Sequence, residues 1–229
     1  MIHMAKARGL EVRTESSGSR FDRRTAINTV QSHLDAITLT LKGADETTIQ
    51  AARRGGTQET DRLSVRNLVE ARALLESRTP KISALVILSR PNVRRVSRFL
   101  EIAEELEMDS LPCRRMNALL NPDLESQALW QADHEWIRGL PPQQGKLEVV
   151  YDFIPHTTSD RLACPWPQNK VYLTVEGDGT PCKHHFDARE LKLGNVFEQD
   201  AMAIWNDQHY RMFRAKLWHG ELPDKCKTC

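Results

Sequence analysis

The run Ile82-Ser-Ala-Leu-Val-Ile-Leu88 is nearly all apolar, the pattern of a parallel strand covered on both faces. Strand-like and helix-like segments alternate around it. Leu10-Glu-Val-Arg-Thr14 alternates like a strand and runs into the turn-forming Ser16-Ser-Gly-Ser19. Ile27, Val30 and Leu34 recur at helical spacing, and Ala36-Ile-Thr-Leu-Thr-Leu41 is a second, β-branched strand ended by Gly43. A loop through Arg53-Arg-Gly-Gly56 precedes a helix with Val65, Leu68, Ala71 and Leu75 on one face, which stops before Thr79-Pro80. Pro91-Asn92 opens another helix, with Val96, Leu100, Ala103 and Leu106 facing inward, and Ser110-Leu-Pro-Cys-Arg114 is a fourth strand. Such alternation implies right-handed crossovers and an α/β fold with a parallel sheet or partial barrel.

After Met116 the composition shifts towards Asn, Gln and Pro, with one helix around Leu129–Ile137, and Pro141-Pro-Gln-Gln-Gly145 marks a boundary. The expected division is a partial barrel over 1–118, a linker and helix over 119–146, and a small α+β domain over 147–229. In that last part, Val171-Tyr-Leu-Thr-Val175 and Gly177-Asp-Gly179 predict a strand entering a tight turn. Ala201–Leu217 predicts one amphipathic helix through Ile204, Trp205, Met212, Phe213 and Leu217.

Charge excludes some partners. With 32 Lys+Arg against 31 Asp+Glu, the chain has no basic footprint for nucleic acid. Arg94-Arg95 and Arg114-Arg115 are expected as solvated helix or strand-end residues. No stretch approaches the ~20 apolar residues of a membrane span, and the N-terminus lacks the apolar core of a secretory signal. A reducing, cytoplasmic setting is expected, where the five cysteines argue against a disulfide framework.

Four of those cysteines fall between Cys164 and Cys229 with the spacing C-x17-C-x43-C-x2-C. Cysteines two residues apart let one turn present two thiolates to a single centre, while the distant pair is brought in by the fold. Four thiolates suit tetrahedral zinc or a 4Fe-4S cluster. Only one close knuckle is present, and Cys164 and Cys182 flank a strand and turn, which favours the larger cluster over zinc. The other reading makes Cys164 and Cys182 small buried hydrophobes, but the polar segment Lys225-Cys-Lys-Thr-Cys229 suits that poorly. Cys113 stands apart and is expected to be such a hydrophobe. His184 and His185, just beyond Cys182, read as surface histidines, with substitute ligands or hydrogen-bond donors to a cluster as the alternative.

The neighbours of these cysteines carry a family resemblance. In order come Cys164-Pro-Trp-Pro, Tyr172-Leu-Thr-Val-Glu-Gly-Asp-Gly-Thr-Pro-Cys182, Leu193-Gly-Asn-Val196, Ile204-Trp-Asn206, Arg211 and Cys226-Lys-Thr-Cys229. Together they resemble the SPASM-type auxiliary cluster domain of radical SAM proteins. That implies one auxiliary 4Fe-4S cluster held by Cys164, Cys182, Cys226 and Cys229, rather than the two of the longer SPASM form.

The first half resembles the same family's barrel. Ser16–Ser19 is similar to the turn after its third strand, Ile37–Gly43 to its fourth strand and Arg53-Arg-Gly-Gly56 to the arginine–glycine loop that follows. The helix after Asn92 fits the segment after its fifth strand. Thr40 stands where the family usually has Ser, and Lys42 where it usually has Asp. By this resemblance Thr40, Arg53 and Arg54 match positions that contact S-adenosylmethionine, with strand-end packing and a solvated loop as the alternative reading. The fold implied is an incomplete radical SAM partial TIM barrel, its last four or so strand–helix units, followed by the SPASM-type domain.

The family's C-x3-C-x2-C loop, whose cluster chelates and cleaves S-adenosylmethionine, does not occur among these 229 residues. The chain is therefore expected to be an N-terminally truncated portion of a radical SAM/SPASM enzyme of the peptide- or protein-modifying or enzyme-maturing class. It would bind S-adenosylmethionine only if the missing part were supplied, for instance by a partner chain completing the barrel. The alternatives are a non-catalytic electron-transfer or partner-binding cluster protein, or a structural zinc protein.

Overall fold

The computed structural model describes residues 2–19, 21–45, 47, 58–116, 122–140, 145–151, 164, 166–183, 188–189 and 191–227. They form two compact units, Met1–Ile154 and Pro155–Cys229.

The first unit begins with helix α1 (Ile2–Lys6), strand β1 (Arg13–Ser16), helix α2 (Arg23–Gln31) and strand β2 (Ala36–Leu41). Helix α3 (Gln58–Leu74), strand β3 (Lys81–Leu88), helix α4 (Val96–Glu105) and strand β4 (Ser110–Arg115) follow, then helix α5 (Gln131–Arg138) and strand β5 (Glu148–Tyr151). The strands make one parallel sheet in chain order, β1-β2-β3-β4-β5. Right-handed crossovers that never reverse direction place every helix on the same face, which is barrel-type winding and not the doubly wound arrangement. Burial agrees. Ile37, Leu39 and Leu41 of β2, Ile82, Ala84, Val86 and Leu88 of β3, and Leu111 and Cys113 of β4 are buried. They share one core with Val30, Val65, Leu68, Val96, Phe99 and Ile102 of the helices.

The opposite face is different. Register sets Glu15, Thr38, Ser83 and Ser110 side by side across β1–β4, and side chains on this face alternate with those of the core. Thr38, Thr40, Ser83, Ile87, Ser110 and Arg114 are half-buried here, and Leu85 is buried. The apolar run of β3 is thus fully covered on its helix face and partly covered on the other.

Two aspartates lace the N-terminal ends of the strands. The Asp35 carboxylate accepts the Val12 N–H at 2.7 Å and pairs with Lys6 Nζ at 2.6 Å, while its backbone carbonyl accepts from Lys81 N at 2.8 Å. Asp109 repeats the device one strand pair later. Its carboxylate accepts the Ile82 N–H at 2.6 Å and pairs with Arg72, and its carbonyl accepts from Glu148 N at 3.2 Å.

The sheet runs past residue 147, where the sequence suggests that the second domain begins. Glu148–Tyr151 pairs in parallel with β4, and Ile137 of α5 is buried in the first core. The Pro141–Gly145 punctuation precedes a strand too short to announce which sheet it joins.

The second unit holds α6 (Trp166–Asn169), β6 (Tyr172–Leu173), β7 (Asp178–Thr180), β8 (Gly194–Asn195), α7 (Ala201–Asn206), α8 (Gln208–Trp218) and α9 (Asp224–Lys227). The strands form an antiparallel sheet, β6-β7-β8. Its buried centre is Leu193, Ile204 and Tyr210, with Val171, Leu191, Val196, Trp205 and Phe213 packed around it. Asn195 knits the turn by donating to Glu176 O at 2.9 Å and to Asp178 Oδ1 at 2.8 Å. Gly177 is required there, with φ 84° and a Phe197 ring atom 2.5 Å from where a Cβ would sit.

The single helix expected over Ala201–Leu217 is two helices. Asp207 has extended backbone (φ −54°, ψ 143°), and its carboxylate accepts the His209 N–H at 2.8 Å. A carboxylate that caps a new first turn competes with continuing the old helix. Periodicity alone does not register this, since the apolar face stays in phase across the break.

Candidate metal centre

Three of the four proposed ligands are described. Cys164 lies two residues before α6, Cys182 two residues after β7, and Cys226 within α9. Cys229, the paired His184 and His185, and the loop residues Arg53 and Arg54 lie outside the described residues. Cys113, Cys164, Cys182 and Cys226 form no disulfide. Among the described residues, no group of three or more His, Cys, Asp or Glu side chains converges as a metal site.

The scaffold nevertheless draws the Cys164 and Cys182 segments together. Trp166 beside Cys164 carries Lys170 Nζ 4.1 Å and Lys183 Nζ 5.6 Å from its ring centre, and Lys183 is the neighbour of Cys182. Helix α8 clamps the same region, with Tyr210 Oη donating to Lys170 O at 2.6 Å and Gln168 Nε2 donating to Arg214 O at 3.1 Å. The Arg214 guanidinium lies 4.3 Å from the Tyr210 ring centre and 4.5 Å from that of Trp205. Burial pushes the Tyr210 phenol up, Arg214 draws it back, and the proximity of Cys182 adds to the rise. Lys170, Lys183 and Arg214 thus lie on or against the elements that flank Cys164 and Cys182. A four-thiolate centre is anionic, so this donor set and its cationic surroundings fit an iron–sulfur cluster.

Cys113 meets its expectation. Burial pushes its thiol up to about 12, so it stays a protonated, inert side chain. The phenol of Tyr151 is also pushed up to about 12, first by burial and then by Cys113.

In the first unit, the strand ends where ligands gather in parallel α/β folds carry a second constellation. Thr40 is half-buried on the polar face, paired in register with Leu85. Next to it, Lys42 and Asp61 form an ion pair at 2.7 Å with side chains only 7% and 3% exposed, and the Lys42 N–H donates to the same carboxylate at 3.0 Å. An acidic group therefore stands beside this strand end after all, supplied by α3. Ser64 of α3 donates to Gly18 O at 2.7 Å and so fixes the turn after β1.

Arg94, Arg95 and Arg115 are exposed as their sequence suggests, and Arg114 is half-buried. Arg94 pairs with Asp133 at 3.2 Å and lies 4.6 Å from the Trp136 ring centre, and Arg114 pairs with Glu15 at 2.9 Å. The Lys42–Asp61, Arg114–Glu15 and Tyr210–Lys170 contacts join residues far apart in sequence, and no local motif announces them.

A barrel-wound parallel sheet followed by a small four-cysteine module defines the class, and comparison with known proteins supplies the family. The SPASM family, described as an iron–sulfur cluster-binding domain, matches residues 164–229. The PqqA peptide cyclase of Streptomyces rochei is 24% identical over 241 residues, covering 100% of this chain and 63% of its own length. The S-adenosyl-L-methionine-dependent 2-deoxy-scyllo-inosamine dehydrogenase of Niallia circulans is 32% identical over 82 residues, covering 35% of this chain and 32% of its own. Among solved structures, Streptococcus suis SuiB bound to its precursor peptide SuiA superposes with a TM-score of 0.69 at 11% identity, covering 93% of this chain and 52% of that one. The same protein has been solved with S-adenosylmethionine bound. Residues 164–229 match the SPASM family, the chain as a whole is similar to proteins of the radical SAM/SPASM kind, and it spans less than two thirds of the length of these relatives. No helix among the described residues is long and apolar enough to cross a membrane.

Proposed function

We propose that Cys164, Cys182, Cys226 and Cys229 hold a single auxiliary 4Fe-4S cluster in the C-terminal portion of a cytoplasmic, peptide-modifying radical SAM/SPASM enzyme. The observation that carries the proposal is the cysteine module itself, with Lys183, the neighbour of Cys182, lying over the Trp166 ring close after Cys164. When bound, such a cluster supplies one-electron chemistry or a coordination site for substrate. The chain's own residues supply four thiolates and a cationic shell of Lys170, Lys183 and Arg214 that offsets their charge. Tyr210 and Gln168 tie the short helix after Cys164 to α8.

The peptide substrate is supported by the names of two relatives, a peptide cyclase and an enzyme solved with a precursor peptide. The polar face of the first sheet is where the substrate and S-adenosylmethionine bind, with Thr40 on that face and, by the family resemblance, Arg53 and Arg54 as further cofactor contacts. The C-x3-C-x2-C loop is supplied by further residues of the same polypeptide or by a partner chain that completes the barrel, and these 229 residues alone do not cleave S-adenosylmethionine.

Anaerobic loading with iron and sulfide tests the site. About four irons per chain and a broad visible absorption are expected, both lost in the Cys226→Ser/Cys229→Ser chain. Stoichiometric zinc with no such absorption contradicts the cluster. Formation of 5′-deoxyadenosine by this chain alone under reducing conditions contradicts its dependence on a second segment.

A further inference from the structure

We infer that Arg114 binds a carboxylate of the substrate on the polar face of the first sheet, which makes the substrate an acidic peptide. The inference rests on the peptide reading above and adds to it the chemistry of the residue recognised.

The ion pair between Arg114 and Glu15 joins β4 to β1, two strands that are not neighbours. In a flat sheet three strand spacings would hold them roughly 14 Å apart. Their contact at 2.9 Å therefore requires the sheet to curl, so the polar face is concave and the pair arches over it. Beneath lie Thr38, Thr40 and the hydrogen-bonded hydroxyls of Ser83 and Ser110, 2.7 Å apart. A barrel interior that serves only as a core is filled with Val, Ile and Leu. This one carries Leu85 and Ile87 but also hydroxyls and a long ion pair, which suits a surface that receives a polar ligand.

Arg114 stands at the C-terminal end of its strand, the end at which parallel α/β folds act on ligands. A guanidinium offers a planar fork matched to a carboxylate, and the contact with Glu15 shows that a carboxylate reaches it from the concave side. The exposures are unequal, 34% for the Arg114 side chain and 55% for Glu15. Glu15 is the better solvated partner, so it gives way to water when a substrate carboxylate takes its place.

The test uses the full chain loaded with iron and sulfide, panned against a display library of random short peptides. Retained peptides should be enriched in Asp and Glu. One of them, compared with its Glu→Gln twin, should bind the wild-type chain roughly tenfold more tightly. Arg114→Gln should abolish that preference, Arg114→Lys should keep part of it by retaining charge without the fork, and Glu15→Gln should tighten the acidic peptide. The Lys variant preserves the test if the Gln variant misfolds.

Retained peptides without acidic preference overturn the inference while leaving the peptide reading intact, as does a preference that survives Arg114→Gln. A library from which nothing is retained sinks the peptide reading itself. If Arg114→Gln instead weakens S-adenosylmethionine binding and spares the peptide preference, the guanidinium serves the cofactor's carboxylate and the inference is wrong.

Discussion

The two compact units are held together by different means. The first stacks aliphatic side chains of the strands and helices into one continuous core, from Val30 and Leu39 through Leu68 and Val86 to Phe99 and Leu111. The second buries Leu193, Ile204 and Tyr210 at its centre, while Val175, Phe197, Met202 and Trp218 stand 89%, 79%, 62% and 66% exposed. Its strands are two or three residues long and its turn hangs on Gly177 and Asn195. A unit with so small a core among its described residues needs another source of cohesion, and the proposed ligation of four cysteines distributed along it would provide one. The cluster proposed above would thus be structural for the second unit whatever else it does.

The largest effect should come from removing that ligation. Where a metal drives folding, the coupling is on the order of 10 kcal/mol. Cys226→Ser/Cys229→Ser, or chelation of the iron, should open the second unit to protease and amide exchange while the first unit still melts cooperatively. Equal loss in both units would erase the distinction between them.

Next in size is the buried pair of the first unit. Asp61→Ala leaves the Lys42 ammonium, 7% exposed, without its carboxylate and should cost about 3–5 kcal/mol in urea melting. Replacing both by apolar residues of similar volume should recover most of that loss. Full destabilisation in the double variant would mean that Asp61 acts through more than charge.

Gly177→Ala should weaken the second unit by about 1–3 kcal/mol, because φ is 84° and the Phe197 ring occupies the space of the new methyl. Shaving the ring with Phe197→Ala should recover part of the loss, which separates the steric contribution from the backbone one. An unchanged exchange pattern in Gly177→Ala would show that the turn is not what organises β6–β8.

The smallest effects are those of pH. Hydrogen bonding from Lys6, then from the Val12 N–H, holds the Asp35 carboxyl below the usual carboxylate range. Lys192 and then Asn195 do the same for Asp178. A carboxyl depressed in the folded state contributes stability above its unfolded value, about 3.9, and that contribution is lost as pH falls through the depressed value. Asp35→Asn should flatten the acid limb of the first unit's melting profile, and Asp178→Asn that of the second. An unaltered acid limb in either would remove that carboxylate from the account.

The sequence shows more of the fold than of the site. The strands at Ala36–Leu41 and Ile82–Leu88 and the helix faces at Val65–Ala71 and Val96–Leu106 are legible because burial on one side imposes a period on neighbouring residues. The cysteine module is legible because ligands cluster and glycines mark its turn. The helix break at Asp207 is hidden, since a capping carboxylate leaves the apolar period intact. The short β5 is hidden too, because four residues carry too little pattern to name a partner strand. Lys42–Asp61 and Arg114–Glu15 depend on which strand and helix ends the fold makes neighbours, which no local pattern encodes.

The two aspartates at the strand entrances have a kinetic consequence. Asp35 touches β1, its own strand and β3, while Asp109 touches β3, its own strand and β5. Together they form one hem along all five strands, with β3 as the thread they share. The hem cannot fray strand by strand, because freeing β1 loosens β2 and freeing β5 loosens β4. Amides at Val12, Lys81, Ile82 and Glu148 should therefore exchange in step, and only when the whole sheet opens. At the opposite rim the cross-strand tie is the more exposed Arg114–Glu15 pair, and that rim is the one left to respond to what binds there.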